Sequence, residues 1–212
     1  MQLYTFFRSS AAYRVRIALN LKGLGREDVF VRFQDQEQRS EAYRRLNPQG
    51  LVPTLVDGGA VLGQSLAILE YLEEVYPEPP LLPAEPAGRA RARQIGLAVA
   101  CDIHPLNNLR VLQYLERELG LDEARRTAWY RHWLAQGFQA IETLLTTTPG
   151  TGSFCQGEAP GFADVCLVPQ VFNARRYQVD MTPYPTVARI DAACLALPAF
   201  ADAAPAAQPD AE

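Results

Sequence analysis

The stretch from Phe6 to Leu21 constrains the fold of this chain more than any other. A short apolar segment, Leu3 to Phe7, ends in Arg8, Ser9 and Ser10, and a helical pattern with one apolar side follows. Where a strand leads through a polar turn into a helix, unpaired backbone N–H groups and the positive end of the helix dipole meet at one point. Two hydroxyls and a guanidinium accompany them, so the stretch predicts an anion-binding site.

Composition excludes several classes of partner. A hydrophobic content of 48% and a charged content of 21% are typical of a globular protein, and 212 residues suffice for one large or two small domains. The net charge of −4 argues against nucleic-acid binding. The four cysteines lack C-x-x-C spacing and follow no signal-peptide pattern, which favours free thiols. No apolar run is long enough to cross a bilayer. We expect a cytoplasmic protein that binds neither nucleic acid nor membranes.

Strand and helix patterns alternate over residues 1–82. The sequence predicts strands at 3–7, 29–33, 51–56 and 60–62, and helices up to Leu21 and over 37–46 and 64–75. This β-α-β-α-β-β-α order predicts a mixed four-stranded sheet covered by helices. Pro53 breaks the rule that excludes proline from central strands. It is tolerated there if the peptide bond before it is cis and the Val52 backbone turns outward.

The second part of the chain has a helical pattern. A proline-rich stretch over 77–86 separates it from the first part, which predicts domains at 1–82 and 89–212 with a linker at 83–88. Long helices are expected at 87–120, with a bend near Pro105, and at 122–147. Gly161 and Asp164 resemble a capping box that opens a helix reaching about residue 177. A last helix is expected at 184–195, and the tail after Phe200 is expected to be irregular. The second domain is therefore predicted to be all-helical.

Two further segments of the first domain are suited to binding a ligand. Gln64 and Ser65 begin the third predicted helix and offer an amide and a hydroxyl beside free N–H groups, which suits a carboxylate. Simple capping by Ser65 is the alternative. Val52 offers a backbone N–H and C=O that could pair with an extended peptide, although a rigid turn would also explain the Val-Pro pair. Together with the anion site at Ser9, these two segments indicate that the ligand is a short anionic peptide.

Several long segments resemble the zeta class of the glutathione S-transferases. They are SSAAYRVRIAL, NPQGLVPTL, GQSLAILEYLEE, CDIHPLNNLRVL and FADVCLVPQVFNARRYQVDMTPYP, which together extend over essentially the whole chain. The resemblance implies a thioredoxin-like α/β N-terminal domain, an all-α C-terminal domain and a homodimer. It also implies that the anion is the thiolate of glutathione, which would act as a cofactor.

The resemblance assigns binding roles to individual residues. It implies that Ser9 and Ser10 lie beside the glutathione sulfur, and we favour Ser9 because it follows the strand directly, with Ser10 as an alternative helix cap. The other expected glutathione contacts are Gln38, Val52, Gln64, Ser65, His104, Asn108 and Arg110. The class pattern has cysteine after the serine pair, where this chain has Ala11. The nucleophile must therefore come from glutathione, ionised by the helix N-terminus and a hydroxyl hydrogen bond.

The activity that the resemblance implies is a cis–trans isomerisation of a maleyl keto acid to its fumaryl isomer by reversible thiolate addition. Maleylpyruvate is the favoured substrate and maleylacetoacetate the alternative. A dianionic substrate needs guanidinium groups, and the expected ones are Arg8, Arg110 and Arg176. Arg8 and Arg176 complete the expected catalytic set with Ser9 and Ser10. For each arginine of this Arg-rich chain a solvated surface charge is the alternative, and Arg175 competes with Arg176.

Two other functions are compatible with the sequence. The first is a general transferase that conjugates glutathione to small electrophiles or dehalogenates α-halo acids. The second is a non-catalytic protein that binds anionic ligands. A metal site at Cys101, Asp102 and His104 is disfavoured because their spacing matches no helical metal motif, so no metal is expected.

Overall fold

The computed structural model describes residues 1–211 and divides into two compact units. Unit 1 contains residues 1–81 together with the tail from residue 195 onward, and unit 2 contains residues 82–194. Unit 1 is α/β and unit 2 is all-helical, as the sequence predicts. Of the helices in the described residues, none combines the length and apolar character needed to span a membrane.

Unit 1 is built on a four-stranded mixed sheet. Its strands are β1 (Gln2–Thr5), β2 (Glu27–Phe30), β3 (Thr54–Asp57) and β4 (Ala60–Gly63). The strand order is β2-β1-β3-β4, with β1 and β2 parallel and the other pairs antiparallel. Helices α1 (Ser10–Leu21) and α2 (Glu41–Leu46) join the first three strands, and α3 (Ser65–Val75) follows β4. The predicted β-α-β-α-β-β-α order is confirmed.

The register of the sheet brings three strand ends to one edge. Tyr4 of β1 pairs with Thr54 of β3, and Thr54 pairs with Gly63 of β4. Because these strands are antiparallel in turn, the end of β1, the start of β3 and the end of β4 lie side by side. The segments that leave the sheet there contain Ser9, Val52 and Ser65.

Local differences from the predicted elements have identifiable causes. The Val52–Pro53 bond is cis, and β3 begins after it, so Pro53 lies outside the strand instead of within it. The helix predicted over 37–46 is split into a 3₁₀ turn, Glu37–Arg39, and α2. Ser40 causes the split because its side chain accepts a hydrogen bond from Tyr43 N and caps α2. The second strand lies two to three residues earlier than predicted.

The tail differs from the predicted domain division. The sequence predicts a second domain over 89–212, whereas residues 195–211 make their contacts within unit 1. The tail forms a short helix, Pro198–Ala201, and a 3₁₀ turn, Pro205–Ala207, and the turn lies where an irregular segment is expected. Phe200 and Ala203 are fully buried, which explains why this segment is ordered against unit 1.

Unit 2 is a bundle of five helices. They are α4 (Pro86–Leu97), α5 (Leu109–Arg117), α6 (Glu123–Thr147), α7 (Phe162–Arg176) and α8 (Pro185–Leu195). Helix α7 is buried along most of its length and is the centre of the bundle. Asp122 caps α6, and Asp164 accepts a hydrogen bond from Gly161 N at the start of α7 (2.9 Å), so both predicted caps are confirmed.

The single helix predicted over 87–120 is wrong. After α4 the chain forms a π-helical turn, Ala98–Ile103, then a 3₁₀ turn, Pro105–Asn107, before α5 begins. Pro105 removes a backbone donor, and the side chain of Asn108 then caps α5 by accepting from Arg110 N (3.1 Å). The expected bend near Pro105 is therefore a complete break.

Candidate active site

Ser9 occupies the N-cap position of α1. Its backbone is extended, its Oγ accepts a hydrogen bond from Ala12 N (3.2 Å), and its own N–H donates to Phe6 O (3.0 Å). Ser10 is the first helical residue and is buried, so the alternative in which Ser10 is the cap is wrong. Because Ser9 Oγ accepts from the backbone, its hydroxyl proton remains available for an anion.

Arg8 is exposed beside this turn. Its guanidinium carbon lies 5.1 Å from the centroid of the Phe7 ring and 5.9 Å from that of Phe6. Within residues 1–211 no hydrogen bond or ion pair of this guanidinium accompanies the ring contacts. The edge donors of Arg8 can therefore still bind a carboxylate.

The start of α3 is the second polar feature of this edge. Ser65 is buried, and its Oγ accepts a hydrogen bond from Arg14 Nη1 (3.1 Å). Gln64 is the N-cap residue, with a left-handed φ of 66°, and its amide donates to Gln49 Oε1 (2.8 Å). The alternative in which Ser65 caps α3 is wrong because its hydroxyl lies at the first helical position and bonds to Arg14 instead.

The sequence reasoning missed Arg14, which α1 places directly beneath Ser65. Arg14 is almost completely buried, although most arginines of the chain belong to the surface. Since its guanidinium donates to Ser65 Oγ, the hydroxyl proton is directed away from Arg14 and towards any carboxylate bound there. The available signal was the position of Arg14 four residues before the apolar Ala18, and the Arg-rich composition concealed it.

The Val52 backbone is held in place from one side. The carbonyl of Leu51 accepts hydrogen bonds from Tyr43 Oη (2.7 Å) and Asn47 Nδ2 (2.8 Å). Within residues 1–211, neither the N–H nor the C=O of Val52 has a hydrogen-bond partner. This geometry suits pairing with the backbone of a peptide.

Gln38 lies in the turn before α2 and is buried. Its Oε1 has no hydrogen-bond partner within the described residues. The turn approaches the backbone of Gly50 closely, which only glycine permits there. A Cβ at Gly50 would lie 2.8 Å from Gln38 O, and the φ of Gly50 is +62°. A buried acceptor without a partner suits a ligand N–H.

Three of the expected residues lie in unit 2 at or after its helix break. His104 and Asn108 are half-buried, and Arg110 is exposed in the first turn of α5. One acceptor of Asn108 is already used by the cap of α5. Their expected contacts with glutathione stay predictions. Within the described chain, no group of three His, Cys, Asp or Glu side chains could hold a metal ion.

The two arginines at the end of α7 have different surroundings. Arg175 Nη2 lies 2.5 Å from Oδ2 of Asp191, a fully buried carboxylate whose pKa is raised by burial and lowered in part by Arg175. Arg176 is exposed, and its guanidinium carbon lies 5.5 Å from the centroid of the Tyr177 ring. Arg175, itself half-exposed, is thus paired with a buried carboxylate, whereas the guanidinium of Arg176 makes no hydrogen bond or ion pair within residues 1–211.

Tyr177 in turn stacks on Tyr130, with ring centroids 3.6 Å apart and an angle of 9° between the planes. Burial raises the pKa of Tyr130, which therefore stays neutral. The stack gives Arg176 a rigid aromatic support.

Comparison with known proteins identifies the family. Residues 3–80 match the model of the glutathione S-transferase N-terminal domain. The chain is 52% identical to the maleylpyruvate isomerase of Ralstonia sp over 99% of both sequences. It is 48% identical to the maleylacetoacetate isomerase of Pseudomonas aeruginosa, over 99% of this chain and 98% of that one.

Solved structures agree over the full length. A holo maleylpyruvate isomerase, described as a bacterial zeta-class glutathione S-transferase, superposes with a TM-score of 0.98 at 52% identity and covers 100% of both chains. The maleylacetoacetate isomerase of Methylobacterium extorquens with bound malonate and glutathione gives a TM-score of 0.97 at 46% identity, again over 100% of both chains. This chain therefore belongs to the zeta class of the glutathione S-transferases.

Proposed function

We propose that this chain is a glutathione-dependent cis–trans isomerase that converts a maleyl keto acid into its fumaryl isomer. Maleylpyruvate is the favoured substrate and maleylacetoacetate the alternative. One observation carries the proposal: Ser9, Val52 and Ser65 lie in the segments that flank the same end of the sheet, and Ala11 follows the serine pair. The edge can hold a thiol-containing peptide but supplies no thiol of its own at this turn.

The residues of this edge fit glutathione. Gln64 and Ser65 would hold the γ-glutamyl carboxylate, with the positive charge of Arg14 behind Ser65. The Val52 backbone would pair with the cysteinyl unit, and Oε1 of Gln38 would accept from an N–H of the tripeptide. We further propose glutathione contacts for Ser10, His104, Asn108 and Arg110.

The chemistry that glutathione supplies when bound is a reversible thiolate addition that turns the maleyl double bond into a rotatable single bond. Ser9 donates a hydrogen bond to the sulfur and favours its ionised form, as does the N-terminus of α1. Arg8, Arg110 and Arg176 bind the substrate carboxylates. Arg8 and Arg176 also stabilise the negative charge that develops on the keto acid.

The direct test is the rate of loss of each maleyl keto acid with and without glutathione. We expect turnover only with glutathione, and a higher kcat/KM for maleylpyruvate than for maleylacetoacetate. Turnover that does not need glutathione, or no turnover of either substrate, would contradict the proposal.

Arg176 and Arg175 form a matched pair for testing the substrate site. We expect Arg176→Ala to raise KM for the keto acid about tenfold or more, because a charge-assisted carboxylate contact is lost, while Kd for glutathione is nearly unchanged. Arg175→Ala should leave KM unchanged and lower stability, because the buried Asp191 carboxylate loses its cation. Similar KM values for both variants would remove Arg176 from the substrate site.

Family membership supports two further proposals. We expect a homodimer, which sedimentation equilibrium would detect as about twice the chain mass of 23.5 kDa. A cytoplasmic location is proposed on the same ground, and fractionation of cells that express the native protein tests it.

A further inference from the structure

One face of α1 binds main-chain carbonyls of the tail. Tyr13 Oη donates to Phe200 O (3.2 Å), Arg16 Nε to Ala203 O (3.0 Å) and Asn20 Nδ2 to Ala199 O (3.0 Å). The three donors are spaced three and four residues apart and therefore share one side of the helix. The tail is thus attached to the same helix whose N-terminus carries Ser9.

Arg16 also binds the turn before α1. Its side chain is fully buried, and Nη2 donates to Phe7 O (3.0 Å) while Nη1 donates to Thr5 Oγ1 (3.0 Å) and more weakly to Phe6 O (3.4 Å). With the bond to Ala203 O, one guanidinium joins the tail to the turn.

The tail reaches the same turn a second time through Asp210. Its Oδ2 accepts a hydrogen bond from Phe7 N (3.0 Å), more than two hundred positions away in the sequence. The peptide groups on both sides of Phe7 are therefore held, the N–H by Asp210 and the C=O by Arg16. Gln208 is buried and closes the tail on itself by donating to Asp202 O (2.8 Å) and Ala204 O (3.0 Å).

The charges of this cluster support one another. Within the described residues, Arg16 has no carboxylate within ion-pair distance, and burial lowers its pKa to about 10. Asp210 is the carboxylate whose charge opposes this shift most strongly. Burial of a guanidinium that bonds mainly to neutral oxygens costs free energy. This indicates that Arg16 positions the turn and the tail more than it stabilises the fold.

From these contacts we propose that Asp210, together with Arg16, is a positioning residue for the turn that carries Arg8 and Ser9. The tail acts as a clamp on the Phe7 peptide, and this inference rests on the proposed function of Ser9. Phe7 and Arg8 are the central residues of the turn closed by the bond from Ser9 N to Phe6 O (3.0 Å). A fixed Phe7 peptide therefore fixes the direction of the Ser9 hydroxyl.

The test compares Asp210→Ala and Asp210→Asn, with Asp202→Ala as the matched control. Asparagine removes the charge but keeps an oxygen that can accept from Phe7 N, whereas alanine removes the acceptor. Asp202 has an exposed side chain in the same tail, so its replacement changes the net charge equally. Two quantities are measured: hydrogen exchange of the Phe7 amide in the glutathione-free protein, and the pKa of the glutathione thiol in the binary complex from the ultraviolet absorbance of the thiolate.

We expect Asp210→Ala to accelerate Phe7 exchange about tenfold or more, because the amide loses its acceptor. The thiol pKa should rise by about half a unit, which is about a threefold loss of thiolate at a pH below the pKa. In Asp210→Asn both the Phe7 exchange rate and the thiol pKa should stay close to their wild-type values. Asp202→Ala should change neither quantity.

Three results would overturn the proposal. One is a Phe7 exchange rate that is unchanged in Asp210→Ala. Another is the same thiol pKa in the alanine and asparagine variants, which would show that Asp210 acts through its charge and not through its hydrogen bond to Phe7 N. The third is global unfolding of both variants, because a clamp limited to this turn predicts a folded chain. If the wild-type protein bound no glutathione, the proposed function would fail while the exchange result would still report on the clamp.

Discussion

The two units hold their irregular segments by different means. In unit 1, buried cations bind main-chain carbonyls: Arg16 fixes the turn over 6–9, and Lys22 fixes the segment over 76–81. In unit 2, the segment over 98–108 contains the helix break and packs closely against α6, with hydrogen bonds from Trp129 Nε1 to Leu106 O (2.9 Å) and from Asn107 Nδ2 to Tyr130 O (3.3 Å). There Ile103 lies against Gly137, where an added Cβ would be 2.2 Å from Ile103 Cδ1.

The difference predicts different sensitivities. A cation that bonds to carbonyls holds a segment through direction and charge, so removal of the charge should release it. A packed segment is held by shape, so added volume should displace it. The following variants test this contrast, beginning with the largest expected effect.

Lys22→Met should have the largest effect on stability. Lys22 Nζ is buried and bonds to Glu73 Oε2 (3.0 Å), Tyr76 O (2.8 Å) and Pro79 O (2.9 Å). The variant leaves the Glu73 carboxylate buried without its cation, which should lower the free energy of unfolding by about 3–5 kcal/mol. Urea denaturation measures this.

Two controls separate charge from packing at this site. Lys22→Met combined with Glu73→Gln should lose less stability than Lys22→Met alone, because no buried charge remains. Arg45→Met breaks an exposed ion pair with Glu41 and should change stability little. If the single and double variants were equally unstable, the lost bonds to carbonyls, and not the buried charge, would explain the effect.

Gly137→Ala tests the packed segment of unit 2. The new Cβ would meet Ile103 Cδ1 and Cγ1, so the Ile103 side chain or the π-helical turn that carries it must shift, at a cost of about 1–3 kcal/mol. Ile103→Val in the same chain should recover part of this loss. Gly25→Ala is the matched control, because no atom lies within 4 Å of a Cβ there. Equal unfolding free energies for wild type and Gly137→Ala would show that the segment is not held by shape.

Asn108 is predicted to have two roles, and two variants separate them. Asn108→Ala removes the cap of α5 and should cost about 1 kcal/mol, whereas Asn108→Ser keeps a capping hydroxyl and should cost much less. If Asn108 also contacts glutathione, both variants should raise Kd for glutathione in a calorimetric titration. If Kd rises in Asn108→Ala but not in Asn108→Ser, Asn108 acts only as the cap of α5.

Asp164→Asn should give the smallest effect, seen as a change in pH dependence. Asp164 is buried and accepts from Cys155 N (2.8 Å) and Gly161 N (2.9 Å), and burial raises its pKa above 3.8 in spite of these bonds. The native state therefore binds the proton more tightly than the unfolded chain. The stability that this adds is present below about 3.8 and is lost as pH rises through the raised native pKa.

The asparagine variant lacks this titration. The unfolding free energy of wild type minus that of Asp164→Asn should therefore decrease as pH rises through the window just above 3.8. Urea denaturation at a series of pH values measures it. A difference that increases over the same window would mean that the backbone hydrogen bonds outweigh burial at Asp164.

Local sequence signals predicted much of unit 1 and the caps of unit 2. The element order, the cis bond before Pro53, and the helix starts at Asp122 and Gly161 follow from short-range chemistry. The break after α4 was missed because a π-helical turn leaves no clear signal in the pattern of apolar residues. The choice between Arg175 and Arg176 needed the position of Asp191, which lies on another helix.

By itself, the sequence determined the strand–turn–helix that begins the chain, the absence of a cysteine after the serine pair, and the family to which the chain belongs. Only the tertiary structure decided which cations are buried and what they hold. Arg14 and Arg16 in α1, and Lys22 directly after it, look like surface charges of an arginine-rich protein, yet each is buried against partners that are distant in the sequence. Burial is a property of the packed fold, and periodicity within one helix cannot report which carbonyl or carboxylate the rest of the chain brings to its side.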